Sequence, residues 1–275
     1  MKNADTSPFL SASTSKLPAG RAALIVGHPG HELRMHGWLE LAQPLVFVLT
    51  DGSGHTGRSR LDSTTQILTQ AGATPGGIYG RLTDISLYAA LLEHDFDLFI
   101  GLTEELSQAL VSQEITYIAG DASEHYNPGH EVCRMLINAA VKRVRHLTGR
   151  QIANFDFPLI GPPDNCPEQL RHQAIFSQLD DAALERKLVA ARNYAAIEAD
   201  VNDALNGFSA EAFRVECLRP VVTEVAEIAL LAEPPFYERY GKQQVAAGYY
   251  NRVLRYDEHV APLAAALDAY LRELS

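Results

Sequence analysis

Residues 22–52, AALIVGHPGHELRMHGWLELAQPLVFVLTDG, contain two short apolar runs separated by a segment of helical character. The first run, 22–26, stops at the turn sequence GHPG, and the second, 45–50, stops at Asp51 and Gly52. Apolar runs bounded by turn residues are typical of buried strands. Strand, helix and strand at this spacing predict a βαβ unit, in which the two strands are parallel.

The alternation of strand and helix continues beyond this unit. Further helices are predicted at 64–71, 104–112, 130–147, 182–199 and 260–274, and further strands at 96–102, 115–119 and 151–157. This order predicts an α/β protein with a doubly wound, mainly parallel sheet and helices on both faces. We divide the chain into a flexible arm at 1–20, a main domain at 21–215 and a C-terminal extension at 216–275 that packs on the main domain.

The composition excludes several classes of protein. The chain has 275 residues, 47 % of them apolar, which is typical of a globular protein. Its 23 basic and 34 acidic residues give a net charge of −11, which argues against a nucleic-acid partner. No apolar run approaches the ~20 residues that span a bilayer, and residues 1–20 show no secretory signal. Three scattered cysteines are too few for a disulfide framework, so we expect a cytoplasmic protein.

Polar clusters follow three of the predicted strands, and they contain five of the ten histidines: His28, His31, His55, His125 and His130. In an open α/β sheet, ligands collect at the carboxyl ends of the strands. His28 and His31 are three residues apart at a predicted helix start, and His130 follows another strand. Together they predict a three-ligand metal site with an open position, as in catalytic zinc centres. Fe²⁺ or Ni²⁺ would suit three histidines as well. The alternative is that these histidines only bond backbone groups in turns.

Three segments carry a family resemblance: VGHPGHE at 26–32, LTDG at 49–52 and NPGH at 127–130. They resemble the signature of the LmbE-like (PIG-L) de-N-acetylases, which have A-H-P-D-D-E after the first strand, T-D-G after the second and H-P-D-H later. The resemblance covers about residues 20–215. It implies a zinc-dependent, Rossmann-like enzyme that hydrolyses N-acyl groups, usually acetyl on glucosamine-type sugars. By position it implies that His28, His31 and His130 hold the metal.

The sequence also departs from that signature. Gly30 stands at the family's catalytic aspartate, and Asn127 replaces the first histidine of H-P-D-H. A site of three histidines would supply metal-bound hydroxide near neutral pH with less help from a base. Asn127 is then a donor to the oxyanion and His125 an acid for the leaving amine. For the base or a residue that orients a ligand we rank Asp51 and Glu32 first, ahead of two further acidic residues, Asp121 and Glu124. Glu32 could instead favour a helix start, and Asp51 could only close a turn.

Two other groups of residues allow two interpretations each. Arg58 and Arg60 either grip an anionic group of the substrate or form a solvated surface pair. Five tyrosines of the extension either line a sugar-binding wall or pack against the sheet or a second subunit: Tyr237, Tyr240, Tyr249, Tyr250 and Tyr256. A homo-oligomer is therefore possible.

The sequence thus predicts a metal-dependent hydrolase that removes an N-acyl group from a small amino sugar or related amine. The alternatives are a family member that has lost hydrolysis and binds a glycan or a partner protein, or a metal-dependent esterase or lyase.

Overall fold

The computed structural model describes residues 17–54, 56–222 and 233–274. Most of the predicted arm (residues 1–16), His55, residues 223–232 and Ser275 lie outside this part of the chain. The strands are β1 Arg21–Val26, β2 Leu45–Thr50, β3 Thr74–Leu82, β4 Ile115–Asp121, β5 Ala153–Phe157, β6 Ile175–Gln178 and β7 Val215–Pro220. The α-helices are α1 His36–Ala42, α2 Leu61–Ala71, α3 Asp84–Leu92, α4 Phe96–Ser112, α5 Pro128–Thr148, α6 Asp181–Arg192, α7 Glu198–Gly207, α8 Phe236–Ala246 and α9 Ala261–Glu273.

The strands form a seven-stranded sheet in the order β3-β2-β1-β4-β5-β7-β6. The first five of these positions are joined by parallel pairing, and β7 pairs antiparallel with both β5 and β6. The predicted α/β fold with a mainly parallel sheet is therefore confirmed. After β1 the chain builds outward to β3 and then returns to place β4 on the other side of β1. This reversal creates a crevice at the carboxyl ends of β1 and β4, where α/β proteins bind ligands.

The two central strands are buried on both faces, which explains their unbroken apolar runs. All six residues of β2 and the last five of β1 are buried. On one face Ile25 and Phe47 pack with α3, α4, α5 and α9. On the other face Leu24 and Val46 pack with α1 and α2, around Trp38. Helices cover both faces, as predicted, and together these contacts hold the carboxyl ends of the central strands rigidly.

The prediction of a strand at 96–102 was wrong. These residues form the first two turns of α4, which begins after Asp95, whose side chain accepts a hydrogen bond from the Leu98 N–H. The buried positions Phe99, Leu102, Leu106 and Leu110 follow the three-to-four residue spacing of one helical face. The short apolar run FDLFIGL resembles a strand only when it is separated from the residues that follow it.

Two further predictions were wrong in their extent, and several elements were not predicted at all. The helical segment at 32–42 is a 3₁₀ helix, His31–Met35, followed by α1. The long helix at 182–199 ends at Asn193 as α6, and the chain resumes as α7 after a 3₁₀ turn. The edge strand β3 was missed because its sequence TPGGIYGRL contains Pro75 and three glycines, which are rare in strands. The strands β6 and β7 and the helix α8 were also not predicted.

The C-terminal helices pack on the rest of the molecule. Leu263, Leu267 and Leu271 of α9 are buried against α4 and α5. The strand β7 spans the proposed boundary between residues 215 and 216, and the division into domains stays a prediction. Among the described residues, no helix combines the length and apolar character needed to cross a membrane.

Candidate active site

Four neighbouring strands contribute polar residues at their carboxyl ends. His28 follows β1, Thr50 ends β2, Asp84 follows β3, and Asp121 ends β4. The helix α5 then brings His130 to the same end of the sheet from its first turn. Because parallel strands end together, residues far apart in sequence meet here.

His28 is held by two residues from the neighbouring strand ends. Its Nδ1 lies 2.9 Å from Asp84 Oδ1 and 2.9 Å from Thr50 Oγ1. The Thr50 hydroxyl donates to the carbonyl of Gly27, and the Asp84 carboxylate can only accept, so Nδ1 carries the hydrogen and donates it toward these two oxygens. Burial alone raises the pKa of Asp84, but the His28 imidazole and the Gly54 N–H outweigh burial and hold it well below its ordinary value. The ring of His28 is thereby oriented with Nε2 away from Asp84.

His31 is held in the same way by Asp121. Its Nδ1 lies 2.9 Å from Asp121 Oδ2, which also accepts the backbone N–H of Gly27 at 2.7 Å. Burial lowers the pKa of His31 more than Asp121 raises it. Burial also lowers the pKa of His130, and the neighbouring His31 adds to this effect. Both rings therefore favour the neutral form, which is the form that can bind a metal.

The three predicted ligands form one cluster of imidazoles. The ring centroids of His28 and His31 are 5.3 Å apart, those of His28 and His130 5.6 Å, and those of His31 and His130 4.7 Å. All three pairs meet edge to face. The Nδ1 atom of His130 is buried and has no hydrogen-bond partner among the described residues. We call these residues the histidine cluster.

The histidine cluster fits a divalent cation in its donor chemistry. His28 and His31 have a carboxylate on Nδ1, which is the support that metal-bound histidines commonly have. In its neutral form His28 turns the lone pair of Nε2 toward Asn127 Oδ1, 3.4 Å away, and a cation would resolve this contact between two acceptors. As the side chains stand, however, no three His, Cys, Asp or Glu residues in the described part of the chain are arranged to hold a metal ion. The three imidazoles thus have the chemistry of metal ligands, but their side chains as they stand do not converge on one metal position.

Glu32 lies in a buried network behind the cluster. Its Oε2 accepts the Gly30 N–H at 2.7 Å, and its Oε1 accepts the Thr64 hydroxyl at 2.7 Å. Tyr194 continues the network, with its hydroxyl 2.9 Å from Thr64 Oγ1. Burial raises the pKa of Glu32, and the bonds from Thr64 and Gly30 oppose that rise. Oε2 of Glu32 thus holds the loop that carries His28 and His31, and Oε1 ties that loop to α2.

Asp51 and the two arginines lie on the loop after β2. Asp51 Oδ1 accepts both the N–H and the hydroxyl of Ser53, at 2.9 and 2.6 Å. Arg60 Nε donates to the Gly52 carbonyl, and its charge contributes to lowering the pKa of His31. Arg58 is exposed. Arg60 is therefore held on this loop, and its charge acts on a histidine of the cluster, whereas Arg58 lies at the surface.

Asn127 caps α5 beside His28. Its Oδ1 accepts the Gly129 N–H at 2.7 Å and the Tyr88 hydroxyl at 3.2 Å. These two donors fix the orientation of the amide, because only the oxygen can accept them. Gly129 is required here, since a Cβ on it would lie 2.5 Å from His28 Nε2.

His125 stands on the loop before Asn127, with a positive φ of 54°. Its Nδ1 is 3.8 Å from Glu131 Oε2, and its side chain is one-third exposed. Glu131 also accepts the backbone N–H groups of Glu124 and His125 and bonds the Ser123 hydroxyl. Glu124 is turned away, since its Oε2 accepts the N–H groups of Leu159 and Ile160.

Several residues of the site were not singled out from the sequence for their roles: Thr50, Thr64, Asp84, Tyr88, Glu131 and Tyr194. Asp84 had a signal, because Leu82-Thr83-Asp84 follows the pattern of a helix start at a strand end. Tyr88 and Tyr194 had none, since a tyrosine on a helix is usually a packing residue.

A surface cavity of about 410 Å³ lies elsewhere, between α1, α2 and α6. His36, Gln66 and Arg186 are among the residues that line it, and none of the three clustered histidines does. Tyr194 lines this cavity and also lies close to Gly30, on the loop between His28 and His31.

No family model matches the sequence, and no curated protein matches it. The fold is nevertheless found in solved structures. A deacetylase of the A40926 pseudoaglycone is 18 % identical, with a TM-score of 0.51 over 75 % of this chain and 99 % of that one. The zinc-inhibited form of a teicoplanin deacetylase is 14 % identical, with a TM-score of 0.53 over 74 % and 98 %. A deacetylase–teicoplanin complex is 12 % identical, with a TM-score of 0.53 over 75 % and 100 %. At these identities the likeness shows the fold.

Proposed function

We propose that this chain is a metal-dependent hydrolase that removes an N-acyl group, such as acetyl, from an amino sugar or a related amine. The histidine cluster carries this proposal, because two of its rings are oriented by buried carboxylates at the crevice where the sheet reverses. The solved deacetylases with the same fold support it, and so do the three sequence segments that resemble the de-N-acetylases.

His28, His31 and His130 would hold the cation, with Zn²⁺ as the first choice and Fe²⁺ or Ni²⁺ as alternatives. When bound, a divalent cation supplies Lewis-acid polarisation of the acyl carbonyl and activation of water. A solved relative in fold is named as a zinc-inhibited form, so excess zinc should also be tested as an inhibitor.

The chain's own residues would orient and protonate the substrate. Because Asn127 Oδ1 is already bonded by Gly129 and Tyr88, its amide nitrogen is the group left to donate to the acyl oxygen. His125, partly exposed on the adjoining loop, would give a proton to the leaving amine. Asp51 is the proposed base, since only its Oδ1 is engaged by Ser53. Glu32 would act by holding Gly30 and the loop between the two ligands.

Arg60 and Arg58 would lie on the rim formed by the loop after β2, where a polar or anionic part of the substrate can approach. Arg60 is bonded to Gly52 and is thus held in place, whereas Arg58 is free to adjust at the surface.

The experiment that tests the proposal measures metal and activity together. Metal content by plasma mass spectrometry and amine release from N-acetylglucosamine are compared in the wild type and His130→Ala. We expect about one metal per chain in the wild type, with metal and activity both lost in the variant. The control is His172→Ala, which changes an exposed histidine outside the cluster. Full activity of a folded His130→Ala protein would refute the proposal.

A further inference from the structure

Four aromatic side chains form a continuous row on the surface. Tyr126 and Phe236 are stacked with ring centroids 4.6 Å apart and planes 4° from parallel. Phe236 continues to Tyr240 at 6.1 Å and 18°, and Tyr240 meets the edge of Tyr250 at 6.5 Å. Each of the four remains about two-fifths exposed. We call Tyr126, Phe236, Tyr240 and Tyr250 the aromatic row.

The aromatic row begins at the candidate active site. Tyr126 directly precedes Asn127, whose Oδ1 is 3.4 Å from His28 Nε2. Phe236 is fixed to the same loop, because its N–H donates to the His125 carbonyl at 2.9 Å. At the other end, Tyr250 lies near Tyr88, which bonds Asn127. The row therefore lies on and beside the loop that carries His125 and Asn127, the two residues proposed to act on the acyl group.

The row's chemistry favours a sugar ring as its occupant. A pyranose presents an apolar C–H face and a rim of hydroxyls. The row offers aromatic surface together with three phenol hydroxyls, and none of its four side chains is charged. A charged ligand would find no opposite charge among these side chains.

The size of the row argues against a second copy of the chain as its occupant. An aromatic side chain has about 150–250 Å² of surface, so four side chains at two-fifths exposure offer roughly 250–400 Å². A stable protein interface needs about 800 Å² from each partner. One or two sugar rings match the smaller area.

We propose that the aromatic row binds a sugar ring joined to the ring that carries the N-acyl group, so that the substrate is an oligosaccharide or glycoside rather than a single amino sugar. Because it names the substrate of the proposed hydrolase, this inference rests on the proposed function. Its test uses binding as well as activity.

The experiment compares the binding of N-acetylglucosamine and of its β-1,4-linked trimer by isothermal titration calorimetry. We expect the wild type to bind the trimer about tenfold more tightly than the monosaccharide. In Tyr240→Ala and Phe236→Leu, trimer affinity should fall about three- to tenfold, with monosaccharide affinity unchanged. Leucine keeps apolar bulk at position 236, so it separates ring stacking from loss of packing. Circular dichroism and thermal melting check that both variants fold.

Tyr249→Ala is the matched control, since Tyr249 is a nearby tyrosine that is 78 % exposed and lies outside the row. Its trimer affinity should equal that of the wild type. Equal affinity of the wild type for both sugars would overturn the proposal, and so would a Tyr240→Ala protein that keeps full trimer affinity. A wild-type dimer that becomes monomeric in Tyr240→Ala would overturn it too, because the row would then be an interface between copies.

Amine release, measured on the same proteins, separates this inference from the proposed function. Trimer binding that depends on the row, without release of amine from either sugar, supports the row as a sugar site while the proposed hydrolase fails. Hydrolysis of both sugars with equal kcat/KM, in the wild type and in Tyr240→Ala, would support the proposed hydrolase and refute the aromatic row as a sugar site.

Discussion

Asp84 Oδ1 lies 2.9 Å from His28 Nδ1, although 56 residues separate the two in the chain. The pair is buried, and Asp84 reaches it from the first residue of α3. His28 is thereby given one tautomer and one orientation before any ligand arrives. The histidine cluster is therefore partly preorganised, which reduces the cost of assembling it around a cation.

Replacing Asp84 by Asn tests whether the carboxylate on His28 Nδ1 contributes to metal binding. Asp84→Asn should weaken zinc binding about 10- to 100-fold, because the amide orients and polarises the imidazole less well than the carboxylate. Competition with a chromogenic chelator measures the affinity. Asp62→Asn is the matched control, since Asp62 is exposed in the first turn of α2. Equal zinc affinity of Asp84→Asn and the wild type would show that the pair has no role in binding a metal.

A methyl group at position 129 should displace His28. The Cβ of Gly129→Ala would lie 2.5 Å from His28 Nε2, so the imidazole or the start of α5 must move. We expect loss of metal and activity in a protein that still folds. In the control, Gly101→Ala, the new Cβ of a helical glycine has no neighbour within 4 Å, so stability should rise by about 0.5–1 kcal/mol. Metal content and urea unfolding check both variants. Normal metal content in Gly129→Ala would contradict the close approach.

Gly30→Asp should not restore the aspartate of the resembling family. Gly30 has φ = 107°, which favours glycine, and a Cβ would lie 3.1 Å from Ile197 Cδ1. We expect a loss of about 1–3 kcal/mol in the free energy of unfolding and no gain in hydrolysis. Gly57→Asp is the control, since Gly57 also has a positive φ but a Cβ there would meet none of the described residues within 4 Å. An active and stable Gly30→Asp protein would show that the loop adapts.

Two adjacent basic residues of α6 should differ sharply in their effect on stability. Lys187 is buried, with Nζ 2.8 Å from Glu216 Oε1, and Glu216 also accepts the N–H groups of Gly37 and Trp38. Lys187→Ala leaves that carboxylate buried without its cation, at a cost of about 3–5 kcal/mol. Arg186→Ala removes only a half-exposed pair with Glu40 and should cost about 0–1 kcal/mol. Urea unfolding of both variants measures the difference, and similar losses would contradict this assignment.

The central sheet and the histidines could be predicted because their signals are local. The runs at 22–26 and 45–50 are apolar and end at turn residues, and His28, His31 and His130 stand at two of the strand-to-helix junctions. The strand β3 and the pair β6–β7 could not, because their sequences are short or rich in glycine and become strands by pairing with a neighbour. The strand prediction for 96–102 was wrong because it rested on too short a stretch of sequence. Its helix is evident only from the full spacing of Phe99 to Leu110.

The same distinction holds within the candidate site. The sequence alone predicted which side chains are candidate metal ligands, since imidazoles at strand ends are a local pattern. Only the tertiary structure decided what each one meets: Asp84 on His28, Asp121 on His31, and Thr64 and Gly30 on Glu32. It also placed Phe236 beside Tyr126, more than a hundred residues away in the chain, and Tyr240 beside Phe236. The reason is that parallel strands bring their ends together whatever the length of the connections between them, whereas sequence patterns record only neighbours along the chain.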